Sequence, residues 1–373
     1  MRFTVTTLIL CVGSLLAIGM ITLYSSSNAQ FGTKYLALQA AWTGAGVVAC
    51  VAAASIDYRW LKKFAWLPYA LAIITLALVL IPSIGLYRNG SRRWLPLGFA
   101  SFQPSEAGKL ALIILLAWYG DRFQPKMRTF WRGLVLPGAL AGVMLALVFL
   151  EPDRGTTILL GALTMVMLLL AGARWFYIIP PAVAGAAAMV YVLMADPVRM
   201  SRINSWLHPE DHKSGTGYQS WQALIALGAG GPAGLGLGNG RQKLGFLPEY
   251  HTDFIFSILG EEFGLVGTLG VLAVFLVFVL CGVYVAWHAR DAFGLLLAGG
   301  VTFLIGMQAF INIGVVTSAL PNKGLPLPFI SYGGSSLLLM LLAVGLLLSV
   351  ARLSLAAGSE ETEVQGFRNA QFA

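Results

Sequence analysis

The sequence predicts an all-α polytopic membrane protein with ten transmembrane helices and a long extracytoplasmic loop between helices 7 and 8. Its 373 residues are 58% hydrophobic and only 11% charged, whereas a soluble domain carries roughly 25% charged residues. Apolar runs long enough to cross a bilayer, about 20 residues each, recur along the chain. This composition excludes an ordinary soluble domain, and we expect no nucleic-acid partner.

Each predicted span is an apolar run bounded by polar or turn residues. The first run is too long for a signal peptide, which predicts a retained anchor helix. We expect all spans to form one domain, residues 1–357 with the extracytoplasmic loop 196–252 inside it, and residues 358–373 to form a short cytoplasmic tail. The predicted spans are residues 4–24, 36–55, 65–84, 104–120, 133–150, 155–172, 175–195, 263–287, 292–315 and 332–352.

The short loops set the predicted orientation. Those between spans two and three, four and five, and eight and nine are rich in Lys and Arg. The positive-inside rule places these loops, and with them both termini, in the cytoplasm. The basic residues that carry this prediction are Arg59, Lys62, Lys63, Arg122, Lys126, Arg128, Arg132 and Arg290.

The predicted outer segments also carry cations, which oppose the usual distribution. They lie in residues 85–103 and 196–252. Attraction to lipid phosphates is one explanation, and a site for an anionic substrate at the outer leaflet is the other. The outer cations are Arg88, Arg92, Arg93, Arg199, Arg202, Lys213, Arg241 and Lys243.

The long outer segment contains two ordered stretches. Residues 218–227 place Tyr218, Trp221, Leu224 and Ile225 on one helical face, which predicts a helix lying on the membrane surface. Residues 228–240, GAGGPAGLGLGNG, hold seven glycines. They do not match the spacing of a phosphate-binding P-loop, so we expect a flexible or tightly turned loop.

A few ionisable residues fall within or beside the spans. Glu106 and Lys109 share one helix face at i, i+3 spacing, and Asp153 follows span five at the same predicted depth. Because an intramembrane charge usually finds a partner in the bundle interior, we expect Lys109 to pair with Asp153 or with Glu106. A packing role and a catalytic role are both open for this pair.

Residues 247–264, LPEYHTDFIFSILGEEFG, set acids and a histidine beside an apolar run. A hydrolase triad is disfavoured because no nucleophile motif accompanies His251 and Asp253. A zinc site of His208, His212 and His251 is disfavoured because the metalloprotease glutamate is missing. Acids favour a helix N-terminus, which predicts that the glutamates at 261 and 262 form the exposed first turn of span eight. We predict no metal site from these residues.

Several long segments together resemble one family. They are NGSRRWLPLG, QPSEAGK, EPDRGT, GYQSWQALIALGAGGPAGLGLGNGRQKLGFLPEYHTDFIFSILGEEFG and LPNKGLPLPFISYGGSS, within residues 10–352. In order and spacing they are similar to the SEDS family (shape, elongation, division and sporulation). The stretch RQKLGFLPE is closer to the FtsW division members than to the RodA elongation members.

The resemblance implies a specific activity and site. SEDS proteins are peptidoglycan glycosyltransferases that polymerise lipid II, an undecaprenyl-diphosphate disaccharide-peptide, at the outer face of the bacterial cytoplasmic membrane. The essential acid of the family's H-T-D-F motif corresponds to Asp253. The S-E-x-x-K motif corresponds to Glu106 and Lys109, with Gln103 just before it, and the acid of the E-P-D motif is Asp153.

The chemistry of this reaction requires an active site with one carboxylate surrounded by cations. A base must take the proton of the acceptor hydroxyl, and positive charge must stabilise the departing diphosphate. Asp253 is the expected base, and His251 and Gln103 are expected to support the site. A Mg²⁺ or Mn²⁺ ion beside the diphosphate is chemically reasonable, although no ligand cluster predicts one. The candidate cations are Arg92, Arg93, Lys243 and Lys323.

The resemblance also implies partners, and other functions remain open. A class B penicillin-binding protein, the transpeptidase, is the implied partner, together with other proteins of the division complex. An elongation polymerase like RodA is one alternative. A flippase for the lipid-linked precursor is another, because buried charges suit a translocation path. A scaffold that recruits a transpeptidase is compatible with the enzyme.

Overall fold

The computed structural model describes residues 1–88, 90–96, 98, 101–208, 211, 213, 215 and 217–371, with side chains undescribed at 28–31, 88, 197–199 and 356–371. The described part is mostly helical. The helices are α1 (Arg2–Phe31), α2 (Lys34–Ser55), α3 (Trp60–Lys63), α4 (Trp66–Leu80), α5 (Pro104–Arg122), α6 (Leu136–Leu150), α7 (Arg154–Leu170), α8 (Trp175–Ala195), α9 (Pro197–Leu207), α10 (Tyr218–Gly230), α11 (Ile255–Trp287), α12 (Ala292–Val316) and α13 (Gly334–Gln371).

The predicted class, a helical multi-pass membrane protein, is confirmed. Seven of the described helical segments are long and apolar enough to cross a membrane, and α4 and α7 are shorter apolar helices. A helix lies over each of the ten predicted spans, while the number that cross the membrane and the single-domain division stay predictions. The α13 helix continues to Gln371, through most of the predicted tail.

A small sheet between α4 and α5 was not predicted. It contains β1 (Leu86–Arg88), β2 (Ser91–Pro96) and β3 (Ser101–Phe102), in the antiparallel order β1-β2-β3. Tyr87 pairs with Arg92 across the first two strands. Because successive side chains of a strand point to opposite faces, the sheet sends Arg92 and Arg93 in different directions.

The core of the bundle is formed by α5 and α12, whose residues are mostly buried. The α2 helix packs along α13 at small residues: a Cβ on Gly345 would collide with the Cys50 carbonyl oxygen, and one on Gly46 would meet Leu341. Such close approach of helix backbones is typical of membrane bundles. By contrast, α8 lies at the edge of the bundle. Among the described residues of this helix, only Ile178 is buried.

The α11 helix is broken near its first third, and the glycine-rich segment repairs the break. Gly264 has φ 67° and ψ −163°, a conformation that is essentially restricted to glycine. The carbonyl oxygens of Glu261 and Glu262 accept hydrogen bonds from the backbone amides of residues 235 and 236. After the break, the amides of residues 265 and 266 donate to the carbonyl oxygens of residues 231 and 232. Backbone groups that the break frees are therefore satisfied by the loop, as an apolar environment requires.

The prediction that Glu261 and Glu262 form an exposed first turn is wrong. The α11 helix begins at Ile255, two turns earlier, and both glutamates are 1% exposed. The Glu261 carboxylate accepts hydrogen bonds from the backbone amides of Arg241 and Gln242. The sequence pattern could not show this burial, because the amides that bind the Glu261 carboxylate lie about twenty residues earlier in the chain.

The predicted helix at 218–227 is confirmed as α10. Its buried face consists of small residues, Ser220, Ala223, Ala226 and Gly230. A Cβ on Gly230 would collide with the backbone of Gly260, so α10 packs directly on α11. Its position on the membrane surface stays a prediction.

Candidate functional site

Three contacts fix the backbone that carries Asp253. The Tyr332 amide donates to the His251 carbonyl oxygen at 3.0 Å, and the Ser331 hydroxyl donates to the Thr252 carbonyl oxygen at 2.6 Å. The Asn312 side-chain amide donates to the Asp253 carbonyl oxygen at 2.8 Å. The residues just before α11 are therefore held by α12 and by the segment that leads into α13.

An apolar cavity of about 810 Å³ opens beside this loop, between α6, α7 and α8. Most of its wall is aliphatic, but one end of it, formed by helix ends and loops, carries charged residues. Gly324 lies in the wall, and a Cβ there would collide with Asp253 Oδ2. Asp253 therefore lies directly behind the rim of the cavity. The charged residues of the rim are Arg93, Asp153, Arg154, Arg202 and Lys323.

Arg93 is bound to the turn between α6 and α7. Its Nε donates to the Glu151 carbonyl oxygen at 3.1 Å, and its Nη2 donates to the Pro152 carbonyl oxygen at 2.8 Å. Its Nη1 lies 3.8 Å from Asp153 Oδ2. Asp153 also caps α7, because its carboxylate accepts from the Thr156 amide. This arrangement presents a guanidinium and a carboxylate together at the rim.

Glu106 and Lys109 form the predicted pair, and the alternative pairing of Lys109 with Asp153 is not found. Lys109 Nζ lies 2.8 Å from Glu106 Oε2 and donates to Gln308 Oε1 at 2.7 Å. Gln308 in turn donates to the Pro326 carbonyl oxygen. The pair is buried in the bundle and, through Gln308, holds the segment that carries Lys323.

The other candidate residues fall at different distances from the cavity. Arg92 lies over the Tyr87 ring, with its guanidinium carbon 5.6 Å from the centroid. Lys243 is buried in an ion pair with Glu262 and donates to Ser25 at 2.8 Å. Neither is among the described residues that line the cavity. The Gln103 side chain donates to Ser105 at the start of α5.

His251 lies in an aromatic cluster near Asp253. Its ring centroid is 5.1 Å from that of Tyr35, 5.2 Å from Tyr250 and 6.1 Å from Tyr332. Burial lowers the pKa of His251, which favours the neutral imidazole. The zinc hypothesis is not tested, because its His212 lies outside the described residues.

Two cations at the rim were missed as site candidates. Arg154 follows Asp153, and its guanidinium stacks on Phe149 with the carbon 3.3 Å from the ring centroid. Arg202 reaches the cavity from α9. Arg154 is part of the EPDRGT motif, and Arg202 is one of the cations of the segment 196–252. Neither observation distinguishes a residue at the cavity rim from an ordinary surface charge.

The pKa of Asp253 predicts the pH dependence of any reaction that uses it as a base. Burial, followed by the charges of Glu249 and Asp153, raises this pKa to about 7. Because a base must be ionised, we expect activity to be present above pH 7 and to fall as pH drops through it, about tenfold per unit.

Glu249→Gln removes one negative charge, and we expect it to shift this profile to lower pH, because the pKa of Asp253 would fall. The measurement is the initial rate against pH for both proteins. A flat wild-type profile between pH 6 and pH 8 would contradict the assignment.

Glu151 should make the protein less stable as pH rises. It is fully buried, neither of its carboxylate oxygens has a hydrogen-bond partner among the described residues, and burial raises its pKa from 4.5 to about 8. The native state therefore holds a proton that the unfolded chain releases, so stability is greatest below about pH 4.5 and is lost as pH rises through 8.

We expect Glu151→Gln to remove this loss, with a gain of about 4 kcal/mol in unfolding free energy at pH 8 and of less than about 1 kcal/mol at pH 5. Melting temperatures of the detergent-solubilised proteins at both pH values measure it. An equal shift at both pH values would show that protonation of Glu151 is not the cause.

The fold and the site together define a multi-pass helical membrane protein with a carboxylate at the rim of a deep apolar cavity. Residues 5–355 match the FtsW, RodA and SpoVE family, described as cell cycle proteins. The chain belongs to this family, which confirms the resemblance seen in its motifs.

Three relatives are similar to this chain over nearly their whole length. The Geobacter metallireducens probable peptidoglycan glycosyltransferase FtsW is 41% identical, with 94% of this chain and 95% of the relative covered. The Bacillus subtilis stage V sporulation protein E is 40% identical, with 91% and 94% covered. The Coxiella burnetii probable peptidoglycan glycosyltransferase FtsW is 38% identical, with 92% and 95% covered.

Solved structures share the fold. A chain from the structure described as "Structural coordination of polymerization and crosslinking by a peptidoglycan synthase complex" is 28% identical with a TM-score of 0.79, covering 93% of this chain and 97% of that one. The crystal structure of Thermus thermophilus RodA is 27% identical with a TM-score of 0.70, covering 92% and 95%.

Proposed function

We propose that this protein is a peptidoglycan glycosyltransferase that polymerises lipid II at the outer face of the bacterial cytoplasmic membrane. The observation that carries the proposal is the position of Asp253 behind Gly324, at the charged rim of an apolar cavity. Lipid II has the matching layout, an apolar polyprenyl tail, a diphosphate and a sugar. Relatives about 40% identical carry the name of this activity.

The base in this proposal is Asp253. Its carboxylate takes the proton from the 4-hydroxyl of the acceptor N-acetylglucosamine. The hydroxyl oxygen attacks the anomeric carbon of the lipid-linked chain and inverts it, while the bond to the diphosphate breaks and the diphosphate keeps the electron pair. A pKa of about 7 suits a general base that works near neutral pH.

Cations of the rim stabilise the leaving diphosphate in this proposal. Arg93, Arg154, Arg202 and Lys323 line the mouth of the cavity, where positive charge opposes the negative charge that develops on the leaving oxygen. Arg92 and Lys243 lie outside the cavity wall, and their proposed part is to support the sheet and the glycine-rich segment. His251 and Gln103 are proposed to shape the surroundings of Asp253.

The Glu106–Lys109 pair supports the site from inside the bundle. Lys109 holds Gln308, and Gln308 holds Pro326 in the segment 321–331. Asn312, one turn along α12, bonds both the Leu325 and the Asp253 carbonyl oxygens. These contacts keep Asp253 and Lys323 on one rigid frame, so this pair is assigned a positioning role.

A Mg²⁺ or Mn²⁺ ion beside the diphosphate stays a prediction from the chemistry of the reaction. A Mg²⁺ ion commonly takes one or two carboxylates and completes its ligands from substrate phosphates and water. Any role for Mg²⁺ or Mn²⁺ therefore depends on the diphosphate, and we assign no step to it.

Septal synthesis during cell division is the proposed role of this activity. Support comes from the relatives named FtsW, which are 38–41% identical, against 27% for the solved RodA. The proposed partner is a class B penicillin-binding protein within a division complex, because the similar synthase structure couples polymerisation with crosslinking. Both termini are proposed to be cytoplasmic from the distribution of Lys and Arg.

Purified lipid II supplied to the reconstituted protein, with and without a candidate transpeptidase, tests the activity. We expect long glycan strands from the complex. A flippase is the second candidate because the bundle buries ionisable residues, so movement of labelled lipid II across vesicles should be measured in the same preparation. Movement without polymer would overturn the proposed enzyme.

A further inference from the structure

The end of the bundle far from Asp253 carries a second charged pocket. The α2 helix is 22 residues long, or about 33 Å, and its first turn lies near Asp253 because Tyr35 contacts His251. Its other end leads into α3, at the opposite end of the bundle. There a pocket of about 410 Å³, here named the Lys63–Arg122 pocket, is lined by Lys62, Lys63, Trp118, Asp121 and Arg122.

This pocket has more positive than negative charges, three cations and one carboxylate among the residues that line it. Asp121 is neutralised by Lys62, whose Nζ lies 2.9 Å from its carboxylate. Lys63 and Arg122 are both exposed and have no acidic partner among the described residues. Lys63 Nζ lies 4.8 Å from the centroid of the Trp60 ring. The pocket therefore offers two cations that are available to an anion.

Tryptophans and an apolar stripe border the pocket. Trp118 packs edge-on against Trp66, with ring centroids 5.6 Å apart, and Trp66 is 46% exposed. Tryptophan is enriched at the level of lipid headgroups. From Trp66, α4 presents Leu67, Leu71 and Ile74, each more than half exposed, along one helical stripe. A polar pocket thus continues into a surface suited to acyl chains.

We propose that the Lys63–Arg122 pocket binds the phosphate of an anionic phospholipid in the leaflet opposite Asp253. Lys63 and Arg122 donate charge-assisted hydrogen bonds to the phosphate oxygens, and the acyl chains lie along the exposed stripe of α4. Basic pockets between transmembrane helices are known headgroup sites. The ion pair of Lys62 with Asp121 fixes the floor of the site, and the site is independent of the proposed reaction.

The test compares anionic with neutral lipid at this pocket. The proteins are reconstituted in nanodiscs with bromine-labelled phosphatidylglycerol or phosphatidylcholine, and quenching of tryptophan fluorescence is measured at a salt concentration that screens diffuse attraction. The variant is Lys63→Ala with Arg122→Ala. The matched control is Lys126→Ala with Arg128→Ala, two exposed cations of the same loop that do not line the pocket.

We expect wild type to prefer the anionic lipid, the pocket variant to lose about tenfold of this preference, and the control to stay within about twofold. Trp118→Phe with Trp66→Phe should remove most of the difference in quenching. Equal losses in both double variants, or no preference in wild type, would overturn the site. Displacement of the lipid by inorganic phosphate would assign the pocket to a free anion instead. Melting temperatures of all variants establish that they are folded.

Discussion

Asp253→Asn is expected to lower glycan polymerisation at least about 100-fold, the lower range for loss of a general base. Asparagine keeps the size of the side chain and leaves the backbone contacts to Asn312 unchanged, but it cannot accept the proton. The measurement is polymer length and initial rate from purified lipid II, with the transpeptidase bound.

The control for this variant is Glu249→Gln, which removes a carboxylate four residues earlier in the same loop. Its rate above pH 7 should stay within a few-fold of wild type, because the base remains ionised there. If the Asn variant polymerises at a near-normal rate, Asp253 is not the base. If both variants fail, the charge of the loop matters and the role of Asp253 is not specific.

Gly264→Ala is expected to prevent correct folding of the break in α11. A Cβ at this residue would collide with the Gly234 amide nitrogen and lie 2.6 Å from the Pro232 carbonyl oxygen. Both atoms are backbone atoms held by hydrogen bonds, so they cannot move aside cheaply. The backbone conformation alone costs about 1–3 kcal/mol in a non-glycine residue, so we expect a loss of about 3 kcal/mol or more of stability.

Gly270→Ala is the matched control, since it lies in the same helix and a Cβ there has open space within 4 Å. Alanine at that helical position should be neutral or slightly stabilising. The yield of monodisperse protein after detergent extraction and its melting temperature compare the two. Similar behaviour of both variants would mean that α11 is continuous through residue 264.

The sequence was sufficient for features that depend on local pattern. Apolar runs predict helices because the bilayer demands them, and a helix was found over every predicted run. Glu106 and Lys109 pair because their i, i+3 spacing places them together. Asp253 was predicted from the resemblance of its motif, and the structure places it beside the cavity rim.

Features that depend on distant partners could not be predicted. Lys243 was a candidate substrate cation, yet Glu262 pairs with it across nineteen residues of chain. Arg92 and Arg93 are equivalent candidates in the sequence. In the structure they are neighbours in β2, so their side chains point to opposite faces of the sheet, and Arg93 binds the Glu151 carbonyl oxygen. The break at Gly264 is stabilised by residues 231–236, which lie about thirty residues earlier in the chain. A hydrophobic pattern cannot predict a contact at that separation.

The packing of α2 along α13 has a consequence for how the protein is made. Helices enter the membrane in the order of synthesis. The small residues of α2 therefore remain without their packing partner until α13, the last helix, has been made. Gln39 likewise finds its partner, the Ser331 carbonyl oxygen, only near the end of translation. The backbone that carries Asp253 is likewise fixed late in biogenesis, because a nascent chain that stops before Ser331 lacks the contacts from Ser331 and Tyr332 to the Thr252 and His251 carbonyl oxygens.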